Sequence, residues 1–552
     1  MDTGTVMAMS VEKLCPSTLT RSPALRFSGG VCVPVLVVAG LALGALALPV
    51  AAQDVTPGSA GVSPAAASGG GDAPRQRWKI TPSISVSETF TDNADVSGLN
   101  KRSDQITEIT PGISISGESS RLKGRLDYQL HELVHAQDSQ SNETQQSLNA
   151  NGTLEAVEKW LFIEANGVIT QQSISAFGTQ SASNSSVNAN RTETSVFQVS
   201  PYTRGKLGSF ADYELRYRRG ISRSKSDLVG DLNSDDWSAS LKGPFAGSNL
   251  SWLIESSWQN SEYTAQRATE SGRLRGLLSY QPDMQWKLTL IGGSETNNYL
   301  SMDKERKTTT GYGFEWAPSE RTKFSATKES RFFGEGHNLS FTHRMPMTAI
   351  SYTDSRDVTA LPNQMGLASL GSVYDLLDGY WLTTIPDPAA RAQRVSSQLQ
   401  AWGISPNAQA IIPFLSSQVS VERLQMLSLV TYGVRNVITL ALTQSQRQSL
   451  GATIGLVDDF STTATVKQRG YTASWAYRLS AHSSLNLTLS QQNAISATQS
   501  DIDTRQRNLN LGLTTRFGNK TTGSLMLRRA VFDSVTNPYT ENALVAAVSF
   551  QF

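Results

Sequence analysis

Cysteine is nearly missing from this chain. Two occur in 552 residues, Cys15 and Cys32, and both sit close to the start. Cleavage after Ala52 leaves no cysteine, which excludes disulfides, thiolate metal sites and a cysteine nucleophile. Long apolar runs are also scarce. Beyond Val31 to Val50, no stretch approaches the ~20 residues that a membrane helix needs. A charge excess is absent as well. Loss of residues 1–52 takes 48 basic and 47 acidic residues to 45 of each, so charge makes no case for binding nucleic acid. There is no G-x-S-x-G, no P-loop and no complete G-x-G-x-x-G. Gly311 and Gly313 form a fragment of the last, inside a stretch that reads as a strand.

What is present at the start is an export signal. Lys13, Arg21 and Arg26 precede an apolar run broken by Pro34, Gly40 and Gly44, and Val50-Ala51-Ala52 closes it with small residues. Residues 1–52 therefore read as a signal peptide, with an uncleaved anchor helix as the alternative. Neither cysteine has the small, apolar lead-in of a lipoprotein cleavage site. Residues 53–77 are rich in Gly, Ala, Ser and Pro, and cannot bury enough apolar area to offset the entropy of ordering. They read as a disordered periplasmic linker, too short and too low in complexity to be a plug domain.

From Trp78 to the end, apolar residues recur at every second position. Trp78, Ile80, Pro82, Ile84, Val86 and Phe90 share one parity, and Lys79, Thr81, Ser83, Ser85 and Ser87 share the other. The pattern returns in Leu122-Gly124-Leu126-Tyr128-Leu130, Trp286-Leu288-Leu290 and Leu509-Leu511-Leu513. Period two is the strand period. Segments of about ten such residues between turns are the mark of a transmembrane barrel, because in lipid a strand pairs all its backbone groups only inside a closed ring. Tryptophans at 78, 160, 237, 258, 286 and 316 suit interfacial girdles. Short connections (117–120, 156–159, 281–284, 318–321, 518–520) alternate with long polar ones (91–104, 172–194, 298–308). The expected fold is all-β: a large antiparallel transmembrane barrel over 78–552, of about 22 strands within a range of 18 to 24. The last strand alternates from Asn542 to a terminal Phe. Phe550 and Phe552 resemble the signal read by the outer-membrane assembly machinery.

One stretch, 358–417, breaks the alternation. Asp387-Pro388 suits a helix N-terminus; Ala392, Val395, Leu399 and Trp402 follow at helical spacing, and Gly403 can end the helix. This reads as a helical loop insertion, either a packed outer loop or a plug, gate or docking element. A barrel this wide is usually plugged, so the insertion or inward loops are expected to fill it.

Trp316-Ala317-Pro318-Ser319-Glu320-Arg321-Thr322, Arg331-Phe332-Phe333-Gly334, Ser355-Arg356-Asp357-Val358-Thr359 and Pro386-Asp387-Pro388-Ala389-Ala390-Arg391, with the Phe-ending strand, carry a resemblance. The mature chain resembles the outer-membrane proteins associated with PEP-CTERM/exosortase systems. Members of that family accompany exopolysaccharide and biofilm loci of Gram-negative bacteria. The resemblance implies an exopolysaccharide-linked envelope role, with exopolysaccharide or its export proteins as partners beside membrane lipid and lipopolysaccharide. It brings no catalytic residues and no cofactor.

His131-Glu132-Leu133-Val134-His135 matches H-E-x-x-H, which on a helix puts two histidines on one zinc. The preceding residues alternate as a strand, and there the two histidines stand about 13 Å apart at ~3.3 Å per residue. The parity opposite the apolar residues holds Lys123, Arg125, Arg216, Arg218, Arg273, Arg275, Lys323 and Arg331, with Asp127, Asp212, Glu214 and Glu329 among them. These are candidate lumen charges. They read either as ordinary polar lining or as an arginine-rich wall favouring anionic cargo. The sequence therefore points to a non-enzymatic outer-membrane barrel, an export or diffusion channel. A general porin or receptor-like transporter, and a barrel enzyme or envelope scaffold, remain open beside it.

Overall fold

The computed structural model describes residues 78–137, 140–186, 188–264, 267–360, 391, 395, 414–416, 418–451 and 458–552. The expected signal peptide and linker lie outside the described residues. So does the expected helix at 387–403, except for Arg391 and Val395, which are both helical and buried.

Twenty-two strands form one sheet. The first quarter holds β1 (Lys79–Thr91), β2 (Asp104–Glu118), β3 (Leu122–His135), β4 (Glu143–Val157), β5 (Leu161–Ser173) and β6 (Arg191–Leu207). Next come β7 (Ala211–Ser224), β8 (Leu232–Pro244), β9 (Leu250–Tyr263), β10 (Thr269–Tyr280) and β11 (Trp286–Asn297). They are followed by β12 (Glu305–Ser319), β13 (Thr322–Arg331), β14 (Gly334–Arg344), β15 (Thr348–Thr359) and β16 (Ser420–Tyr432). The chain ends with β17 (Asn436–Ser449), β18 (Thr465–Arg478), β19 (Ser483–Ser496), β20 (Thr504–Arg516), β21 (Thr521–Asp533) and β22 (Tyr539–Gln551). Every strand pairs antiparallel with its neighbour in sequence. β1 closes the ring on β22, with Ile84 opposite Phe550 and Val86 opposite Val548. Closure leaves no open edge, as a wall in hydrocarbon requires. The expected closed barrel and its strand count are both seen.

The alternation explains the wall. Leu288, Leu290, Leu440, Leu442, Leu525 and Leu527 point outward and are well exposed. Ser, Thr, Asn and charged residues of the opposite parity point inward. A soluble protein would show the reverse. Trp286 and Trp316 sit side by side in register on the outside, with ring centroids 5.9 Å apart.

The two ends of the barrel differ. At one, the base, β2–β3, β4–β5, β6–β7 and their equivalents are joined by tight turns. Gly208 (φ +59°) and Gly247 (φ +72°) occupy left-handed positions there that favour glycine. At the other, the mouth, the connections are mostly longer. They include 92–103, 174–190, 360–419 and 450–464. The expected interruption at 358 begins slightly later, because Val358 and Thr359 still pair with Val421 and Ser420 as part of β15.

Buried apolar clusters lie at the mouth rather than along the wall. One joins Ala176, Phe414, Phe460, Val466 and Ala494. Another joins Val96, Ala530, Phe532 and Tyr539, with Ala182 against it. A third joins Val229, Leu232, Tyr263 and Leu415.

Candidate functional site

Among the described residues, the lumen and its mouth form the interior that the fold encloses. Inside the mouth, segment 174–190 leaves β5 and turns inward. Asn190 closes its neck: its Nδ2 donates to Ser175 O (3.0 Å) and Thr179 O (3.2 Å), and its Oδ1 accepts from Ser175 N (2.8 Å). The segment then meets side chains from several walls. Gln145 of β4 donates to Asn184 O (3.2 Å). Thr504 and Gln506 of β20 donate to Ala176 O (3.4 Å) and Gln180 O (3.5 Å). The Tyr539 hydroxyl of β22 also donates to Gln180 O. Asn537, beyond β21, bonds Thr179 Oγ1 (3.1 Å) and Val96 O (3.0 Å), which ties 92–103 into the same lid.

A short helix, α1 (Asp459–Thr462), locks this lid. Asp458 is its N-cap, accepting from Phe460 N (3.1 Å) while Ser461 Oγ accepts from Asp458 N (3.1 Å). Asp458 also receives Ser416 Oγ and Gln418 Nε2, both at 2.7 Å. Asp459 reaches the inward segment, accepting from Ser175 Oγ (2.5 Å) and Ala176 N (2.7 Å). Burial pushes the Asp459 carboxyl up to about 6, against the two hydrogen bonds that favour its charged form. Burial raises Asp458 as well. Nothing in the sequence pattern flags Asp459, because its role depends on a partner some 280 residues away in the chain.

Below the lid, the eight candidate lumen cations all take the inward parity. Six of them engage carboxylates. Lys123 pairs with Glu118 and Arg125 with Asp127. Arg216 meets Glu164 (2.5 Å) and Glu214 (3.2 Å) and lies over the Tyr202 ring. Arg273 and Arg275 share Glu329, and Arg275 also reaches Glu255 (2.5 Å). Arg331 holds Glu295 and Asp357. Arg218 stands opposite Asp236 in the β7–β8 register, and Lys323 lies exposed near the base. Acids that sequence reading missed, Glu164, Glu255, Glu295 and Asp357, come from strands one or two away from their arginines. Arg273, Arg275 and Arg331 face Glu255, Glu295, Glu329 and Asp357, so this patch carries no cationic excess.

The glycine fragment finds its explanation here. Gly293 and Gly311 face inward between β10 and β13, and their bare backbone clears a lane for the arginines to reach Glu329. A Cβ on Gly311 would stand 2.7 Å from Glu329 Cγ. The histidine pair does not share a site. His131 Nδ1 meets Glu108 (2.7 Å) and His135 Nδ1 meets Asp104 (3.1 Å), as expected for a strand. Among the described residues, no group of three or more His, Cys, Asp or Glu is arranged to hold a metal.

The far wall is different. Across β17–β20, the central inward rows read Thr439, Ser474, Thr488, Asn510 and Ala441, Thr472, Ser490, Asn508. No charge falls in them. The Oδ1 atoms of Asn486, Asn508 and Asn510, and the hydroxyls of Thr439 and Thr472, have no partner within the protein. These atoms are themselves buried, so each is satisfied only by a water held within the wall, and the wall meets solute through its other hydroxyls and amides. At the base, Phe550 faces outward, and its ring meets Phe552 edge-on with centroids 4.9 Å apart.

No protein-family model and no curated protein matches the chain. Among solved structures it is similar to the siderophore receptor PirA from Pseudomonas aeruginosa, at 9% identity over 87% of this chain and 81% of that one, with a TM-score of 0.43. It is similar also to the FrpB iron transporter from Neisseria meningitidis, at 10% identity over 86% and 81%, with a TM-score of 0.47. The likeness is one of barrel form and carries nothing about cargo.

Proposed function

We propose that this chain is a non-enzymatic outer-membrane barrel that passes polar solutes and is closed at its mouth by segment 174–190. The observation that carries the reading is the tie of that segment to β4, β20 and β22 at once. An outward belt of leucine and tryptophan around a polar interior supports the membrane setting. Short turns then face the periplasm and the lid faces outside. The lid must move, or be displaced by a partner, for anything large to pass, which is the behaviour of a gated, receptor-like transporter.

The test is conductance of refolded protein in planar bilayers. Wild type is expected to be nearly silent. Replacing 176–185 with a short Gly-Ser bridge is expected to give large, steady channels. Large channels from wild type would remove the lid from the account.

A second reading, a conduit for exopolysaccharide, is favoured by the uncharged amide and hydroxyl rows at the centre of β17–β20. Such a wall offers hydrogen bonds to a polyhydroxylated chain without binding counter-ions. Liposome swelling with the lid-deleted barrel separates the readings. Neutral oligosaccharides entering faster than charged ones of equal mass would favour it, and equal rates would count against it.

A further inference from the structure

We propose that the outer, membrane-facing surface of β17–β22 carries a site for a phosphorylated lipid of the surrounding leaflet. The inference rests on the membrane setting but not on conduction. Two observations meet there. The first is shape. A furrow of about 1010 Å³ runs obliquely across the outside of the wall, floored by Leu427, Leu440, Ala473, Leu489 and Leu509. It follows the register from β15 towards β22, because Leu440, Ala473, Leu489, Leu509 and Arg529 are successive partners across five strands. Ala473 leaves the gap between its larger neighbours. At its mouthward end the furrow is lined by Arg507 and Arg529.

The second is charge. The outward positions of β17–β22 hold five cations, Lys467, Arg469, Arg505, Arg507 and Arg529, and one acid, Asp533, among the described residues. Asp533 takes Arg507 at 2.8 Å, with both side chains half exposed. Arg529 donates only to the neutral Asn542 amide (3.3 Å), and Arg469 to Gln444 (3.0 Å). Elsewhere on the outside, near the mouth, several cations are matched, Arg219 by Asp235, Lys328 by Glu335 and Arg423 by Asp354, while Arg306 donates to Ser294 (3.3 Å). A cationic excess at the head of an apolar furrow, with Arg529 lacking an acid and Arg507 held by a half-exposed Asp533, fits a phosphate followed by acyl chains, since planar guanidinium binds phosphate oxygens in pairs. The arginines lie near the mouth and the furrow descends towards the base, as a lipid of the outer leaflet would.

The test is native mass spectrometry of the full chain in detergent, titrated with bis-phosphorylated lipid A, its dephosphorylated form, or inorganic phosphate. Wild type is expected to bind the phosphorylated lipid at least ten-fold more tightly than the dephosphorylated one. The variant Arg507→Gln/Arg529→Gln is expected to lose that advantage. Arg306→Gln/Lys328→Gln, on β12 and β13, is expected to keep it. Ala473→Trp, which fills the furrow, is expected to weaken both lipids. Heat-modifiable gel mobility confirms that each variant is folded. Equal binding of both lipids by wild type, equal loss in the control variant, or inorganic phosphate binding as tightly as the lipid would overturn the proposal.

Discussion

The two long walls of the lumen obey one folding rule and end with opposite chemistry. Both alternate apolar-out and polar-in, and both are built from antiparallel pairs with small residues at close approaches. On β5–β13, the inward positions hold arginines already matched by glutamates and aspartates. On the central rows of β17–β20, they hold amides and hydroxyls, and mouthward of them Arg447 is paired with Glu422. The difference separates two uses of an inward residue. A matched ion pair has its charge satisfied by the protein; it fixes geometry and offers little to cargo. An unmatched neutral group adds no charge to the wall, and where its polar atom is buried it costs stability unless a bound water satisfies it. Counting arginines therefore overstates the first wall as a binding surface, and the absence of charge hides the second.

The sharpest way to break the comparison is to unmatch the ionic wall. Glu329→Gln leaves Arg273 and Arg275 without their shared carboxylate. It is expected to cost on the order of 3 kcal/mol in urea unfolding. In the lid-deleted background it should move the reversal potential towards anions. A variant as stable as wild type, with unchanged selectivity, would mean that the pairs hold nothing in place. Gly311→Leu would press on the Lys328 carbonyl as well as on Glu329 and should cost more stability than Glu329→Gln, with selectivity moving less because all the charges remain.

The lid sharpens the comparison by pH. The Asp459 carboxyl is raised by burial from an ordinary value near 3.8 to about 6. Its protonated form suits the closed lid, so that contribution is fully present below about pH 3.8 and lost as pH rises through 6. The span is worth up to about 3 kcal/mol. Channel openings should be rarer at pH 5 than at pH 7.5, and Asp459→Asn should hold the low-pH behaviour at both. Openings that rise on acidification would reverse the assignment.

The smallest effect belongs to the neutral wall. Asn510→Asp puts one charge where none stands, among partners that make no ion pairs. Because the Asn510 Oδ1 is buried, stability should fall by about 1–2 kcal/mol, less than for Glu329→Gln, while the lid-deleted channel turns measurably towards cations. A large loss of stability instead would show that Asn510 packs rather than faces solute.

Much of this was legible in the sequence. Leu509-Leu511-Leu513 and Ile80 to Phe90 display the strand period directly, and the uneven connections display the two ends. Even the inward parity of Arg216 or Arg273 follows from counting. The candidate site was less legible. Gln180, Asp459 and Tyr539 lie far apart in the chain, on loops or strand ends with no periodic signal. Glu329 serves Arg273 only because β11 and β12 place glycines between them, a fact of register and curvature.

The sequence by itself determined the closed barrel. Period two, with the apolar side outward, has one stable answer in lipid, where every backbone group must be paired and no edge can remain. Tertiary structure alone decided what the barrel encloses. Which acid meets which arginine, which wall stays neutral, and which loop turns inward depend on contacts across dozens to hundreds of residues. Alternation specifies a residue's face and says nothing of its neighbour.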